Sequence, residues 1–173
     1  LIPVFLPFNL TKGLMNGVTA DRFGPDEPAT RGMIVTILHR MEGSPEAPAP
    51  AFPDVRADFY YAQPITWAAS RGIVTGYEDG TFGPEDNITR EQLAAILYRY
   101  ARYKGWDTAA SAALDRFPDV GKISPYAVEP FAWAVGEGLI AGMANGQLSP
   151  GGTATRAEVA TILMRLEALV QRS

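Results

Sequence analysis

Three arginines, Arg31, Arg90 and Arg156, each stand directly behind a threonine and each lie 18 residues after the first glycine of a Gly-x-x-x-Gly pentad. A guanidinium is a planar fork of donors matched to two parallel hydrogen bonds with a carboxylate, so three copies in one setting suggest a receptor for an acidic group. The threonine is a helix N-cap type, which puts each arginine at the positive end of a helix dipole. A cation there costs roughly a few tenths of a kcal/mol unless a partner compensates. A carboxylate lodged at the same place would meet free backbone amides, the dipole and the guanidinium together. Alternatively the arginines pair with the recurring acids Asp54 and Asp119 and lock one unit to the next. The residues alone leave both readings open.

The elements that carry these side chains come in triplicate. The pentads Gly-Leu-Met-Asn-Gly (13–17), Gly-Ile-Val-Thr-Gly (72–76) and Gly-Leu-Ile-Ala-Gly (138–142) start 59 and 66 residues apart, so one supersecondary unit uses up nearly the whole chain. Five residues before each pentad stand Phe8, Trp67 and Trp133, the last two inside short apolar stretches (65–69 and 131–135) that read as helices ended by Gly72 and Gly138. Ten residues after the first glycine come Phe23, Phe82 and Leu148, and two further on Pro25, Pro84 and Pro150, which mark an ordered turn around a buried apolar side chain. Thr89 with Gln92 and Thr155 with Glu158 have capping-box spacing, whereas Thr30 with Met33 keeps only the cap. Behind the caps, apolar residues recur at helical spacing: Ile34, Ile37, Leu38, Met41; Leu93, Ile96, Leu97, Tyr100; Val159, Ile162, Leu163, Leu166. No two-helix unit covers its own stripe, so the three are expected to bury theirs together around a pseudo-threefold axis. A leading motif, Phe-Pro-Asp-Val, begins at Phe52 and Phe117, its aromatic and valine directed to the core and Asp54 or Asp119 capping or pairing at the surface. Trp67 and Trp133 suit a core better than a sugar platform, although partial exposure would serve both. Gly76 and Gly142 shape turns and secondarily admit a ligand.

Bulk composition removes several function classes. The 173 residues are 47% hydrophobic and 20% charged, enough for one ordinary core, and the net charge of −4 gives no general attraction to nucleic acid or anionic lipid. There is no cysteine, hence no disulfide, thiolate metal site or cysteine nucleophile. The apolar opening Leu-Ile-Pro-Val-Phe-Leu-Pro-Phe is short, lacks a basic leader and carries Pro3 and Pro7, so it reads as an altered edge of the first repeat, not as a spanning helix or signal peptide. His39, the sole histidine, falls off the apolar stripe and is expected at the surface without a catalytic or metal partner. The recurring acids look like copies of one structural position, not a paired acid and nucleophile, so glycoside hydrolysis has no signal. Asp79-Gly80 and Asn145-Gly146 fit turns better than calcium loops, and no metal or cofactor is expected.

From Phe52 to Gln92 the order Phe-Pro-Asp-Val, Trp-Ala, Gly-Ile-Val-Thr-Gly-Tyr-Glu-Asp-Gly-Thr-Phe-Gly-Pro, Ile-Thr-Arg-Glu-Gln strongly resembles an S-layer homology motif, and two more copies follow the pattern. The resemblance implies an all-α fold of three helix-loop-helix repeats forming a pseudo-trimer around a central helical bundle. Its repeats would span 1–45, 52–104 and 117–173, with linkers at 46–51 and 105–116 too polar or broken for core. It also implies a non-catalytic, extracellular anchor at the bacterial cell wall, monomeric when isolated, binding secondary cell-wall polysaccharide and typically a pyruvylated amino sugar. In the family the arginine of the Thr-Arg-Ala-Glu signature contacts the acidic ketal; here Arg156 matches best, then Arg90, then Arg31. With these go Asp54, Asp119, Trp67, Trp133, Gly76 and Gly142 as the candidate ligand-binding set. The divergent first repeat points to the Arg90 and Arg156 regions as the better grooves and to one or two working sites. A protein-protein docking or lattice-forming element is the alternative.

Overall fold

The computed structural model describes residues 13–17, 22–48 and 51–170; Pro3, Pro7 and Phe8, on which the reading of an altered first helix rests, lie outside them. The described residues form five α-helices: α1 (Arg31–Met41), α2 (Ala62–Ser70), α3 (Arg90–Tyr103), α4 (Val128–Gly136) and α5 (Arg156–Val170). Two 3-10 turns, Val120–Lys122 and Pro125–Ala127, precede α4. The only extended pairings among them are three isolated antiparallel bridges, Pro28 with Thr155, Thr30 with Asn87 and Thr89 with Thr153.

Those bridges surround a closed cycle of backbone hydrogen bonds. The Ala29 amide donates to the Ala154 carbonyl (2.9 Å), Ala154 to Ile88 (3.0 Å) and Ile88 back to Ala29 (2.9 Å). Each of the three residues directly precedes an N-cap threonine, and none is more than 1% exposed. The pseudo-threefold axis therefore runs between the starts of α1, α3 and α5. Thr30, Thr89 and Thr155 accept from the amides of Met33, Gln92 and Glu158, and in the last two the Gln92 and Glu158 side chains accept in return from the threonine amide.

Packing crosses from unit to unit. Helix α1 lies on α2, and α3 on α4, so the short first helix of the second and third repeats covers the long second helix of the repeat before it. Ile34, Ile37, Leu38, Leu93, Ile96, Leu97, Tyr100, Val159, Ile162, Leu163 and Leu166 are all buried in one continuous core with Trp67, Phe82, Phe131 and Trp133. At about 1.5–3 kcal/mol for each large apolar side chain removed from water, this shared core is the main stabilising term. Both short helices stop in the same way: Gly72 (φ 69) and Gly138 (φ 70) take the left-handed conformation. The next amides, Ile73 and Leu139, reach back to the carbonyls of Ala68 and Ala134, a Schellman ending.

Segment 105–116 is not the loose linker its composition implies. Leu114 is buried, Trp106 packs edge-on against Tyr100 at 5.6 Å, and the Ala112 amide donates to the Ala132 carbonyl of α4. Gly136 admits this strap, since a Cβ there would lie 3.0 Å from the Ser111 backbone nitrogen. Small residues lower the apolar content of a segment without preventing it from packing. His39 likewise departs from the surface position expected of it: it is buried, its Nε2 sits 2.7 Å from the Pro45 carbonyl, and its ring meets Trp67 edge-on at 5.4 Å. A polar tip with a backbone partner lets the ring serve as core.

Candidate functional site

The three arginines are buried, 4–5% exposed, and each reaches out of its own repeat into the next repeat's loop. Arg31 Nε donates to the Phe82 carbonyl (2.9 Å) and Nη2 to Thr75 (3.4 Å). Arg90 Nε donates to Leu148 (2.8 Å) and Nη2 to Ala141 (2.7 Å). Arg156 Nε donates to Phe23 (2.9 Å) and Nη2 to Asn16. The same two nitrogens thus grip equivalent carbonyls in all three units, and each guanidinium clamps one repeat to its neighbour. Burial lowers all three pKa values from the ordinary arginine value, opposed by nearby acidic groups such as Asp86 at Arg31, Glu158 at Arg90 and Glu27 at Arg156. Arginine stays charged throughout.

The helix-start amides, expected to be free for an anion, are occupied. The first two amides of α1 donate to Asp86 and Pro84 (both 2.9 Å), those of α3 to Gly152 and Pro150 (2.8 and 3.0 Å), and those of α5 to Glu27 and Pro25 (2.9 and 3.0 Å). The third amide of each goes to its capping threonine. The recurrent proline turn is therefore a backbone cap supplied by the neighbouring repeat, and what remains for a ligand is guanidinium, not dipole.

Two equivalent hollows open beside these clamps. One, about 310 Å³, is lined by Arg31, residues 74–78, Gln92, Ala95, Ile96, Arg99 and Tyr126. The other, about 420 Å³, is lined by Arg156, residues 14–17, Glu27, Pro28, Met33, Thr36, Ile37, Arg40 and Tyr60. Most positions correspond, although Glu27 and Pro28 line only the second, and each groove combines a clamp arginine, a pentad, a second arginine and a tyrosine from the following repeat. Tyr60 and Tyr126 are 53% and 50% exposed, which leaves a ring face available for stacking. Partial burial and a nearby carboxylate raise both phenol pKa values, Glu85 acting on Tyr60 and Glu91 on Tyr126. Arg40 with Arg156, and Arg31 with Arg99, oppose that shift. Each tyrosine hence lies in the field of both arginines of its groove.

The three clamps differ in what is left over. Arg31 lies between the Tyr77 and Phe82 rings, its Cζ 4.5 Å from each centroid, and among the described residues its Nη1 has no hydrogen-bond partner. Among the described residues Arg156 Nη1 meets only the Met33 thioether at 3.4 Å, a weak acceptor. Arg90 Nη1 pairs with Glu158 Oε1 at 3.1 Å, so every nitrogen of that guanidinium is engaged. The sequence ranks Arg90 above Arg31, but the structure leaves Arg31 the more available.

The other members of the candidate set have structural partners. Asp54 accepts from the Phe82 and Gly83 amides (2.9 and 2.7 Å), and Asp119 from those of Leu148 and Ser149 (2.9 and 2.7 Å). Neither contacts an arginine directly; each holds the N–H of the loop residue whose C=O the arginine grips. Burial would raise the Asp119 pKa, but the two amides outweigh it and hold the carboxyl below its ordinary value. Trp67 and Trp133 are 2% and 1% exposed, which makes them core and leaves no face for a sugar. Gly76 and Gly142 are pressed by the leading phenylalanines: a Cβ would lie 2.6 Å from the Phe52 ring or 2.9 Å from that of Phe117. Gly76 also lines the Arg31 hollow. The sequence reading missed Tyr60 and Tyr126, seven residues before Trp67 and Trp133, and Arg40, Arg99 and Arg165, nine residues after the clamp arginines. Their recurrence in register was the available signal.

No helix of the described residues is long and apolar enough to cross a membrane, and none of their His, Asp and Glu side chains cluster as a metal site. The sequence profile of the S-layer homology domain matches residues 10–32, 51–94 and 116–160. The chain is 32% identical over 162 residues to an amylopullulanase of Thermoanaerobacterium thermosulfurigenes, covering 90% of this chain and 8% of that protein. It is 35% identical over 156 residues to the cellulosome-anchoring protein of Acetivibrio thermocellus, covering 87% of this chain and 34% of that protein. To the surface-layer 125 kDa protein of Lysinibacillus sphaericus it is 29% identical over 157 residues, covering 88% and 13%. The chain thus spans a minor part of each of these relatives.

Proposed function

Because this chain belongs to the S-layer homology domain family, whose members are cell-surface anchors, we propose that its inter-repeat grooves hold the acidic groups of a secondary cell-wall polysaccharide. The module is extracellular and non-catalytic; enzymes among its relatives match it over a small share of their length. The observation that carries the reading is the Arg31 groove: an arginine whose Nη1 has no partner among the described residues lines a hollow that also holds Arg99 and the exposed Tyr126. A guanidinium with one free edge donates to a carboxylate oxygen, a second arginine supplies the other contact, and the phenol ring covers a sugar face. A pyruvate ketal on an amino sugar presents this combination of carboxylate and ring. The Arg156 groove repeats it with a more apolar floor of Leu14, Met15, Met33 and Ile37, and two weak sites on one polymer lengthen residence through effective concentration.

The clamp arginines are unsuitable as first probes because they support the fold. Arg99→Ala and Tyr126→Ala remove groove side chains with little structural commitment. Co-sedimentation with purified wall polysaccharide, with and without its ketal groups, is expected to show binding only to the pyruvylated polymer, weakened by each variant and by salt. Equal sedimentation of all proteins with both polymers would reject the groove and favour a docking or lattice role.

A further inference from the structure

We propose that Glu158 acts as a built-in carboxylate that occupies the acid position at Arg90, the clamp equivalent to those lining the two hollows, and that the third residue of each long helix selects which clamps admit an acid. The position is occupied by Met33, Gln92 and Glu158 in the three repeats. In each case that side chain meets or neighbours the guanidinium of the preceding clamp: Met33 Sδ touches Arg156 Nη1, Glu158 Oε1 touches Arg90 Nη1, and Gln92 lines the hollow shared with Arg31. The chemistry of the three then differs. A carboxylate has two oxygens, and Glu158 spends Oε2 on the Thr155 amide (2.8 Å) while presenting Oε1 to the arginine. Gln92 has one oxygen, which the Thr89 amide takes (3.0 Å), and its remaining amide group is a donor that cannot satisfy a guanidinium. The thioether is a poor acceptor.

Glu158 thus stands where an incoming carboxylate would have to bind. It is held there from both ends, since the cap fixes one oxygen and the ion pair the other, with Arg90 only 6% exposed at its side chain. A ligand acid must displace an intramolecular partner at Arg90, whereas at Arg31 it fills an open position. This builds on the reading of the grooves as acid receptors and specifies which of them work: those at Arg31 and Arg156.

The exchange Glu158→Gln is mild, because Gln92 shows that glutamine sustains the same capping box, and Gln92→Glu is the reciprocal change. Amide NMR of the 173-residue chain titrated with sodium pyruvate reads the grooves separately through Gly76 and Gly142. In the wild type Gly76 should respond and Gly142 should not. Glu158→Gln should add a response at Gly142, and Gln92→Glu should weaken the apparent affinity at Gly76 by roughly tenfold or more, the loss expected for one charge-assisted hydrogen bond. Equal responses of both glycines in the wild type, no gain in Glu158→Gln, or no response at either glycine overturns the proposal. Polysaccharide co-sedimentation separates the two readings. Retained sedimentation with no groove difference sinks the role of Glu158 alone. A Gly76-specific pyruvate response without sedimentation sinks wall anchoring alone.

Discussion

Arg90→Ala should destabilise the whole trio more than any change to an exposed arginine. The side chain is 5% exposed and donates three hydrogen bonds, to Leu148 at 2.8 Å, Ala141 at 2.7 Å and Glu158 at 3.1 Å. A hydrogen bond to a charged group contributes about 1.5–3 kcal/mol net, and each buried acceptor left behind carries its own desolvation cost. Leu148 is fully buried, while Ala141 is exposed and Glu158 partly so, and water can replace the arginine at the latter two. Counting one acceptor in full and two in part gives about 3–5 kcal/mol, the range seen when one partner of a buried ion pair is removed. For a domain of this size that is a large share of a total of about 5–15 kcal/mol and lowers Tm by roughly 10 °C. Arg31→Ala should lose less, about 2–3 kcal/mol, because among the described residues it makes only the Phe82 bond and a long one to Thr75, together with its ring contacts. Urea unfolding followed by far-ultraviolet circular dichroism reads both, with unchanged m confirming that the native compactness is kept. If Arg90→Ala unfolds within about 1 kcal/mol of wild type, or Arg31→Ala proves the more damaging, the clamp is not what holds the repeats in register.

Asp119→Asn should cost about 1–2 kcal/mol near neutral pH, since one of the two loop amides then faces a donor. The folded-state pKa of Asp119 is depressed, so its contribution is complete above the unfolded value of about 4 and fades as pH falls through the folded one. The gap between wild type and variant in urea midpoint should accordingly narrow below about pH 4; a gap independent of pH would contradict the assignment. Gly76→Ala places a methyl 2.6 Å from both the Phe52 ring and the Thr81 carbonyl and should cost about 1–3 kcal/mol. Gly121→Ala, with nothing within 4 Å, should stay within about 0.5 kcal/mol in the same melting experiment.

Much of the fold was legible because its signals are local. The capping boxes at Thr89 and Thr155 operate over three residues, the apolar stripes over one helical turn, and the glycine endings at Gly72 and Gly138 over five. The fixed spacing of the three glycine pentads set these pieces in triplicate, and the resemblance to a repeat family then implied how they assemble. The site was legible only in its residue types. The arginines were visible, but the tyrosines seven residues before each tryptophan and the second arginine of each groove lay on faces whose neighbours come from another repeat. His39 and the 105–116 strap were misjudged for the same reason, since a polar ring or a run of small residues is buried or exposed according to what packs on it.

By itself the sequence determined the three-unit plan, the positions of the five described helices and the placing of a guanidinium at each of three helix starts, because these follow from spacing and backbone preference within a few residues. Only the tertiary structure decided what those guanidinium groups touch. Their carbonyl acceptors lie 51 residues away for Arg31 and Phe82, 58 for Arg90 and Leu148, and 133 for Arg156 and Phe23. At such separations a side chain's partners are set by how the repeats close around their shared axis, and that closure leaves one nitrogen of Arg31 without a partner among the described residues while Glu158 fills the same place at Arg90.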